Sequence, residues 1–297
     1  MTAVNRKAGR MAIESYDQLA AALQARRSAG LAPGQERIAD LLLRDPEGTA
    51  FRTIAQTAEL AAVNQSSVVR FAQSLGLPGY AAVVGLCRAQ VTQQANLVSR
   101  FDLVEGSSSD DMFAAVLHHE QENLRRTYSR IVPEVWQEAV RTLAAAPRVH
   151  VLGLRKCASV AQLLAYLLGL VRPQVFQLAP AEGGLVDELR NLEAGDAFIA
   201  ASIRRYTAST VQGLRYAREK GLTTIALTDD RSSPLAQLAD HVFLIETEGV
   251  TILRSLSVFT SLSQTLATAV AVERGAEARS ELLVDEQLLE QFGVYED

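Results

Sequence analysis

The sequence predicts two domains, an all-helical domain at the amino terminus and then an α/β domain with a five-stranded parallel sheet flanked by helices. Three observations lead to this fold class. No β-rich stretch occurs before residue 100. After residue 148, five short apolar runs alternate with helical patterns, and such alternation is typical of a parallel sheet covered on both faces. Between these regions the composition shifts towards Gly, Ser and Asp, as in a linker.

The predicted domains are a helical domain at 15–96, a linker at 97–112 and an α/β domain at 113–297. The chain has 297 residues, of which 48% are hydrophobic, so each domain has enough apolar residues for a core of its own. Residues 1–14 form a loose tail in this interpretation.

Charge is unevenly distributed between the two parts of the chain. The net charge is −5. Residues 1–100 carry 11 Lys and Arg against 7 Asp and Glu, or +4, whereas the rest carries 18 against 27, or −9. A positive amino-terminal part is what a surface that contacts phosphates requires. The excess is small, and dimerisation would help to build a sufficient field.

Cysteine content and hydropathy exclude several classes of protein. Cys87 and Cys157 are far apart, without a CxxC metal spacing, and this usage fits a reducing cytosol. The amino terminus lacks the apolar core of a signal peptide. The longest apolar run, 163–171, is about half the ~20 residues that a membrane helix needs. We therefore expect a cytoplasmic protein with no membrane contact, no metal and no cofactor.

The amino-terminal domain divides into short helices at its Pro and Gly residues. A first helix is predicted at 16–28, ending before Gly30, and a second begins at Pro33 and is closed by Asp45-Pro46. Residues 53–60 and 65–75 form two more, joined by only three residues, 61–63. The Gly and Pro residues at 76–79 end this pair, and a helix at 80–94 completes the domain.

The pair at 53–75 reads as a helix-turn-helix. Val68, Phe71, Ala72 and Leu75 lie at helical spacing on its second helix and pack against the first. Asn64 is predicted to cap that helix. Its polar residues suit a major groove, because Gln, Ser and Arg bind base edges and phosphates. The predicted DNA contacts are Asn64, Gln65, Ser66, Ser67 and Arg70. On spacing alone, an ordinary helical hairpin is an open alternative.

The segment QERIADLLLRDPEGTAFRTIAQTAELAAVNQSSVVRFAQSLGLPGY resembles the amino-terminal domain of MurR/RpiR-type bacterial transcriptional regulators. The IADLLL helix and the VVRFAQSLGLPGY string carry the resemblance. It implies that the helix containing residues 64–74 enters the major groove. Asn64 stands where the family usually has serine, and both residues cap helices.

The second domain opens with two helices, at 112–129 and 133–145. Ser109 or Asp110 is the expected cap of the first. The alternating region follows, with strands at 149–154, 173–178, 196–202, 222–228 and 241–247. The helices between and after them are predicted at 157–170, 183–192, 209–220, 234–239, 252–272 and about 280–292.

The loops after these strands are the candidate ligand site, because parallel sheets bind ligands beyond their carboxyl ends, near helix N-termini that favour anions. Ser202, Thr207 and the amides of the next helix are suited to a phosphate or carboxylate. Arg155, Arg204 or Arg205 would clamp that group by bidentate contacts. Alternatively, these arginines are solvated or pair with Glu182, Asp229 and Glu246.

Residues 130–275 resemble a SIS (sugar isomerase) domain, which follows the helix-turn-helix in MurR/RpiR regulators. The resemblance implies that a GxGxS-like turn and an SxSGxT-like turn bind the phosphate of a phosphosugar. Gly153, Ser202 and Thr207 match these turns, whereas Arg155, Cys157, Arg204 and Arg205 replace two glycines and two serines. Thr228 and residues 232–234 form a third wall. The expected effector-binding residues are Gly153, Arg155, Cys157, Ser202, Arg204, Arg205, Thr207, Thr228 and Glu246.

The predicted function is a DNA-binding transcriptional regulator, a repressor by family resemblance, that senses a small anionic metabolite such as a phosphosugar or sugar acid. Activation is equally compatible with the sequence. The expected partner is double-stranded DNA with a palindromic operator, bound by a homodimer or homotetramer that associates through 252–272 and 280–292. The alternatives are a SIS-type sugar-phosphate isomerase or lyase, with Glu182 or Glu246 as base, and a structural nucleoid protein. We expect no catalytic residues.

Overall fold

A computed structural model describes residues 13–94, 97–180 and 184–295. The chain divides into two units, Met1–Asn96 and Leu97–Asp297. Most of the predicted tail and the candidate base Glu182 lie outside the described residues.

The first unit is all-helical, as predicted, and one apolar core joins its helices. Leu19, Leu23, Ile38, Phe71 and Cys87 are among the side chains at the centre of that core. The sequence did not predict the short third helix, whose Gly48 amide donates a 2.7 Å hydrogen bond to the Asp45 carboxylate. The helices are α1 (Tyr16–Ala29), α2 (Pro33–Arg44), α3 (Pro46–Thr49), α4 (Ile54–Leu60), α5 (Gln65–Ser74) and α6 (Tyr80–Gln94).

The second unit begins with helices and continues as an α/β domain. Its elements are α7 (Leu97–Asp102), α8 (Ser109–Ser129), α9 (Pro133–Ala145), β1 (Val149–Gly153), α10 (Ala158–Val171), β2 (Val175–Gln177), α11 (Leu185–Leu189), β3 (Ala197–Ala201), α12 (Ala208–Glu219), β4 (Thr223–Thr228), β5 (His241–Leu244), α13 (Ser257–Arg274) and α14 (Ala276–Phe292). A 3-10 turn, Arg155–Cys157, leads from β1 into α10.

The five strands form one parallel sheet in the order β2-β1-β3-β4-β5, which confirms the predicted α/β class. The chain leaves β1 towards β2 on one side and later returns to β3 on the other. The connections therefore diverge between β1 and β3, where open α/β sheets have their ligand crevice. Gly153 and Ala201, the last residues of these two strands, are paired in register.

Each face of the sheet has its own apolar core, because successive strand residues point to opposite faces. Ile199 of β3 packs with α9, α10 and α13 on one face. Its neighbours Phe198 and Ala200 pack with α12 on the other, where Leu214 is fully buried. Both cores hold the carboxyl ends of the strands in fixed positions.

The start of the second unit differs from the predicted linker. Residues 97–102 form α7, and Arg100 on this helix donates hydrogen bonds to the carbonyl groups of Gly249, Thr251 and Ile252. The prediction that Ser109 or Asp110 caps the next helix was wrong. Ser108 is the cap, because its hydroxyl oxygen accepts a hydrogen bond of 3.1 Å from the Asp111 amide.

Two helices predicted near the end of the sheet are also corrected. The helix predicted at 234–239 is absent: residues 234–238 form consecutive turns, and the Asp240 amide then donates to the Thr224 carbonyl group, where the chain returns to the sheet. The helix predicted at 252–272 begins only at Ser257. Residues 249–252 are drawn into a loop by the hydrogen bonds from Arg100, a constraint that local sequence does not reveal.

Within the described residues, every helix is too short or too polar to cross a membrane. The same residues contain no group of three or more His, Cys, Asp and Glu side chains placed to hold a metal ion.

Candidate functional site

The turn between α4 and α5 is held by bonds from both sides. Thr53 and Gln56 form a capping box that fixes the start of α4. Ala62 takes a positive φ of 49°, and the Val63 amide donates to the Ala58 carbonyl group at 2.9 Å. The Arg37 guanidinium of α2 donates to the Ala61 and Ala62 carbonyl groups at 2.7 and 3.0 Å. The angle between the two helices is thereby set.

Asn64 caps α5, as predicted from the sequence. Its carboxamide oxygen accepts hydrogen bonds from the Ser67 amide at 2.9 Å and from the Ser66 and Ser67 hydroxyls at 2.7 Å. Gln65 is exposed beside them. On the opposite face Val68, Phe71 and Ala72 are buried. This arrangement presents an ordered polar first turn to solvent, the part of a recognition helix that reaches base edges.

Arg70 lies on the exposed side of α5, one turn further along. Its guanidinium donates to the Ser66 carbonyl group at 3.3 Å and to the Ser66 hydroxyl at 3.2 Å. These bonds are long and exposed, so the side chain is available to exchange them for a phosphate or a base edge. The five predicted DNA contacts thus lie at the N-cap and in the first two turns of α5.

The sequence did not indicate the residues that tie the two helices of this motif to α1 and α6. Arg26 of α1 donates to the Ser74 hydroxyl at 2.8 Å, near the last turn of α5. The hydroxyls of Tyr80 and Thr57 are 2.6 Å apart and join α6 to α4. These bonds span 23 to 48 positions of the sequence, so no local pattern signals them.

The predicted effector site lies at the loops that follow β1 and β3. Gly153 ends β1 where the chain passes very close to the next turn. A Cβ atom at this position would lie 2.3 Å from the Cys157 carbonyl oxygen, so only glycine fits. Arg155 is exposed and has a positive φ of 56°.

Cys157 closes this first turn as a buried thiol. Its exposed fraction is 3%, and burial raises its pKa to about 11. The thiol is therefore neutral at physiological pH, and only a weak hydrogen-bond donor stands where the family's turn has a serine.

Ser202 and Thr207 frame the second turn. The Ser202 side chain is buried at the end of β3, and its hydroxyl oxygen accepts a hydrogen bond from the Thr207 amide at 3.2 Å. Thr207 is the N-cap of α12, but its side chain forms no capping hydrogen bond. The first amides of α12 start a helix next to Ser202, and the amides of a helix N-terminus favour an anion.

Arg204 forms ion pairs with two carboxylates of the loop that follows β4. One guanidinium nitrogen lies 2.8 Å from an Asp230 oxygen, and its Nε lies 3.7 Å from Asp229. Asp229 also accepts hydrogen bonds from the Arg204 amide at 3.2 Å and from the Tyr206 hydroxyl at 2.8 Å, and burial raises the pKa of Tyr206. The alternative that an arginine here pairs with Asp229 therefore describes Arg204, whereas Arg205 is exposed.

The remaining two predicted effector contacts bond to other groups of the unit. The Thr228 hydroxyl is buried and donates to the Ser233 hydroxyl at 3.1 Å. The Glu246 carboxylate pairs with Arg130, and its amide donates to the Thr127 hydroxyl of α8 at 2.9 Å. Glu246 is thus held against α8.

Lys156 and Asp229 were not among the predicted site residues. Lys156 is half-buried between Gly153 and α10, and its pKa is lowered mainly by burial and then by the nearby Arg254 and Arg100 charges. The sequence does place this lysine inside the predicted first turn, but the prediction assigned the anion contacts there to arginines instead.

Two family models match this chain. Residues 17–84 match the helix-turn-helix domain of the rpiR family, and residues 142–274 match the SIS domain. The HTH-type transcriptional regulator HexR of Pseudomonas aeruginosa is 25% identical over 258 residues, which are 84% of this chain and 87% of HexR.

Two solved structures add to this comparison. The sugar isomerase domain of an RpiR transcription factor from Sphaerobacter thermophilus is 32% identical, with a TM-score of 0.55, and the match covers 58% of this chain and 96% of that one. The Vibrio vulnificus NanR protein, complexed with ManNAc-6P, has a TM-score of 0.58 at 18% identity, covers 92% and 98% of the two chains, and supports the fold. The chain belongs to the RpiR family of helix-turn-helix transcriptional regulators that carry a SIS domain.

Proposed function

We propose that this regulator binds a palindromic operator as a homodimer or homotetramer in the cytoplasm, and that a small anionic metabolite in the SIS crevice changes its affinity for DNA. The metabolite is a phosphosugar or a sugar acid. The observation that carries the DNA-binding part is the exposed polar first turn of α5, ordered by Asn64 and backed by a buried apolar face.

The effector part of the proposal is supported by the turn between β3 and α12. Ser202, Thr207 and the first amides of α12 surround a position at the sheet's switch point, and such donors favour an anion. NanR, a structural neighbour, was solved with a sugar phosphate bound. Of the predicted arginines, Arg204 is paired with Asp229 and Asp230, whereas Arg155 is exposed in the turn after β1, so Arg155 is the clamp that we propose.

One experiment tests both parts. Fluorescence anisotropy would measure binding of the full chain to duplexes from its own regulatory region, with and without phosphosugars and sugar acids. We expect salt-dependent, sequence-selective binding that at least one of these compounds alters. Ser202→Ala should weaken that response, whereas Ser129→Ala, an exposed hydroxyl at the end of α8, should preserve it. Failure to bind any duplex at low salt would contradict the proposal.

We propose repression as the sign of regulation. The sign depends on where the operator lies relative to the promoter, and activation is equally compatible with the residues of the site. A promoter–reporter fusion in cells with and without this regulator decides between them. Reporter activity that rises when the regulator is deleted supports repression.

The subunit interface that we propose is α14. Of the two predicted interface segments, α13 turns its apolar face into its own unit, with Phe259 and Leu262 fully buried. The α14 helix buries only Ala278 and leaves Leu288 and Phe292 47% and 73% exposed. An apolar helix surface of this kind is typical of a contact with a second copy.

We propose that the SIS domain does not catalyse isomerisation. Glu246, one candidate base, is held in an ion pair with Arg130, the residue that follows α8. His150 is buried in β1 on the Asp196 side of the sheet. Assays of the purified protein with hexose and pentose phosphates test this, and turnover that Glu182→Gln abolishes would establish the enzyme alternative.

A further inference from the structure

A closed loop follows β5 at the carboxyl edge of the sheet. We call residues 247–255 the strap, because the chain returns to its starting point where the Ser255 amide donates a 3.3 Å hydrogen bond to the Thr247 carbonyl group. Ile252 and Leu253, in the middle of the strap, are 41% and 51% exposed. With these apolar side chains turned outwards, the position of the strap depends on hydrogen bonds to other elements.

The base of the strap is connected to the strands that carry the proposed effector position. The Ile245 amide donates to the Thr228 carbonyl group, at the end of β4, at 2.8 Å. The neighbouring Leu227 carbonyl group accepts a hydrogen bond of 3.2 Å from the Ser202 amide, at the end of β3. A displacement at the turn after β3 can therefore reach the strap through main-chain bonds alone.

Helix α8 holds the base of the strap from another side. The Asn123 side chain donates to the Glu248 carbonyl group at 2.7 Å, and the Thr127 hydroxyl oxygen accepts from the Glu246 amide at 2.9 Å. Asn123 and Thr127 are both buried, and a buried polar group is costly to leave without its partner. The base is therefore the fixed part of the strap.

The middle of the strap is bonded to Arg100 of α7. The Arg100 Nε donates to the Ile252 carbonyl group at 2.9 Å. One terminal nitrogen donates to the Gly249 and Thr251 carbonyl groups at 2.9 and 2.6 Å. Because the guanidinium group is planar and its donors have fixed directions, these three bonds set the position of α7 against the strap.

Helix α7 is the first element of the second unit, and none of its side chains is fully buried. It begins at Leu97, whereas α6, the last helix of the first unit, ends at Gln94. Three residue steps of chain span at most about 11 Å. A larger shift of α7 must therefore move the end of α6 with it.

We propose that Arg100 is the positioning residue that couples the effector site to the DNA-binding unit. Effector binding moves the strap, and Arg100 passes this movement to α7 and then to α6. Arg100 contacts neither the effector nor the DNA, so its role differs from those of Arg155 and Arg70. This inference rests on the proposed function, in which an anion at the turn after β3 changes the affinity for DNA.

The first test needs no effector. Fluorescence anisotropy would compare operator binding by the wild type and by Arg100→Met, which keeps an unbranched side chain but removes the donors. We expect the variant to bind the operator about tenfold more weakly, because recognition helices that are no longer held at one spacing must be ordered on binding. Its binding to a random duplex should persist, which shows that the first unit is folded.

Arg125→Met is the matched control. Arg125 is 67% exposed on α8 and pairs with Glu122 of the same helix, so its loss removes one charge without touching the strap. This variant should bind the operator like the wild type, and it should bind the random duplex like Arg100→Met.

The second test adds glucose 6-phosphate, ribose 5-phosphate and gluconate in turn. For a probe that changes the operator affinity of the wild type about tenfold, Arg100→Met should bind the probe with an unchanged Kd in isothermal titration, yet its operator affinity should change less than about twofold. A general structural defect would weaken binding of the probe as well. Arg100→Lys should restore only part of the response, because an ammonium group lacks the planar fork that holds three carbonyl groups.

The two proposals fail in different measurements. If none of the probes alters operator binding by the wild type, the effector part of the proposed function fails, and the comparison without effector decides the role of Arg100. If Arg100→Met binds the operator as tightly as the wild type does, or responds to a probe as the wild type does, the inference about Arg100 is overturned and the proposed function stands.

Discussion

Arg70 is the side chain whose loss should reveal how α5 meets DNA. If Arg70 contacts a base, we expect Arg70→Ala to weaken operator binding by about 1–3 kcal/mol. If Arg70 contacts a phosphate, the slope of log K against log salt concentration should become less steep by about 1. Anisotropy titrations at several salt concentrations measure both. Arg44→Ala is the matched control, since Arg44 is 77% exposed in the same unit and outside α5.

Equal losses in the Arg70 and Arg44 variants would show that only the overall charge of the unit matters. Unaltered affinity and salt slope in Arg70→Ala would exclude Arg70 from the interface.

Gly153 provides a second prediction, on stability. Gly153→Ala should destabilise the protein by about 1–3 kcal/mol, because the new methyl group meets the Cys157 carbonyl oxygen at 2.3 Å. Gly169→Ala, on α10 with open space around it, should instead stabilise by about 0.5–1 kcal/mol. Urea denaturation compares the two variants. A harmless Gly153→Ala would mean that the turn after β1 can shift.

At the scale of secondary structure, β1 carries a histidine that makes stability depend on pH. His150 Nε2 lies 3.0 Å from the Asp196 carboxylate, its Nδ1 is buried, and Phe176 stacks on the ring at 5.6 Å. Burial lowers the pKa of His150 below its ordinary value of 6.5, against the opposing effect of Asp196. The unfolded chain therefore binds a proton before the folded one as the pH falls.

The free energy of unfolding should consequently decrease as the pH falls below about 6.5, by at most about 1.4 kcal/mol per pH unit from this group. Urea denaturation between pH 7.5 and 5.5 measures the slope, which His150→Asn should reduce. His118→Asn, on the exposed side of α8, is the control and should keep the wild-type slope. An identical slope in both variants would assign the pH dependence to other groups.

Several elements were predictable because their signals are local. Pro33 begins α2, Asn64 caps α5, and Pro133 begins α9, each at the position that the sequence indicated. The five strands were recognisable as apolar runs because both faces of a parallel sheet are buried. Only β2 and β5, at the sheet's edges, are clearly shorter than predicted, since an edge strand pairs on one side alone.

Other elements depended on contacts that no local pattern shows. The α13 helix begins at Ser257 because Arg100, about 150 positions earlier, holds the preceding loop. Gly153, Ser202 and Thr207 were identified by the family's turns, and the structure places them at the switch point. The sequence did not show that Arg204 pairs with Asp229 and Asp230, because the loops after β3 and β4 meet only in the folded chain. The surroundings of Lys156, after β1, depend on the fold in the same way.

At the scale of the whole molecule, α14 gives a prediction about assembly. Leu288→Glu should shift the protein towards a monomer, because it places a charge in the apolar surface that we assign to the subunit contact. Light scattering measures the mass, and operator affinity should fall with it, since one recognition helix reads only half a palindrome. Val186→Glu, 75% exposed on α11, should leave the mass unchanged.

An unaltered mass in Leu288→Glu would place the subunit contact elsewhere on the second unit. A monomeric wild type would exclude the two-fold mode of DNA recognition altogether.

The burial of both thiols has a practical consequence for spectroscopy. Cys87 and Cys157 are the two cysteines of the chain, they are 0% and 3% exposed, and their pKa values are raised to about 12 and 11. Maleimide dyes react with exposed thiolates, so the native chain should remain unlabelled. A fluorophore pair for distance measurements can therefore be attached at newly introduced surface cysteines without first replacing the native ones.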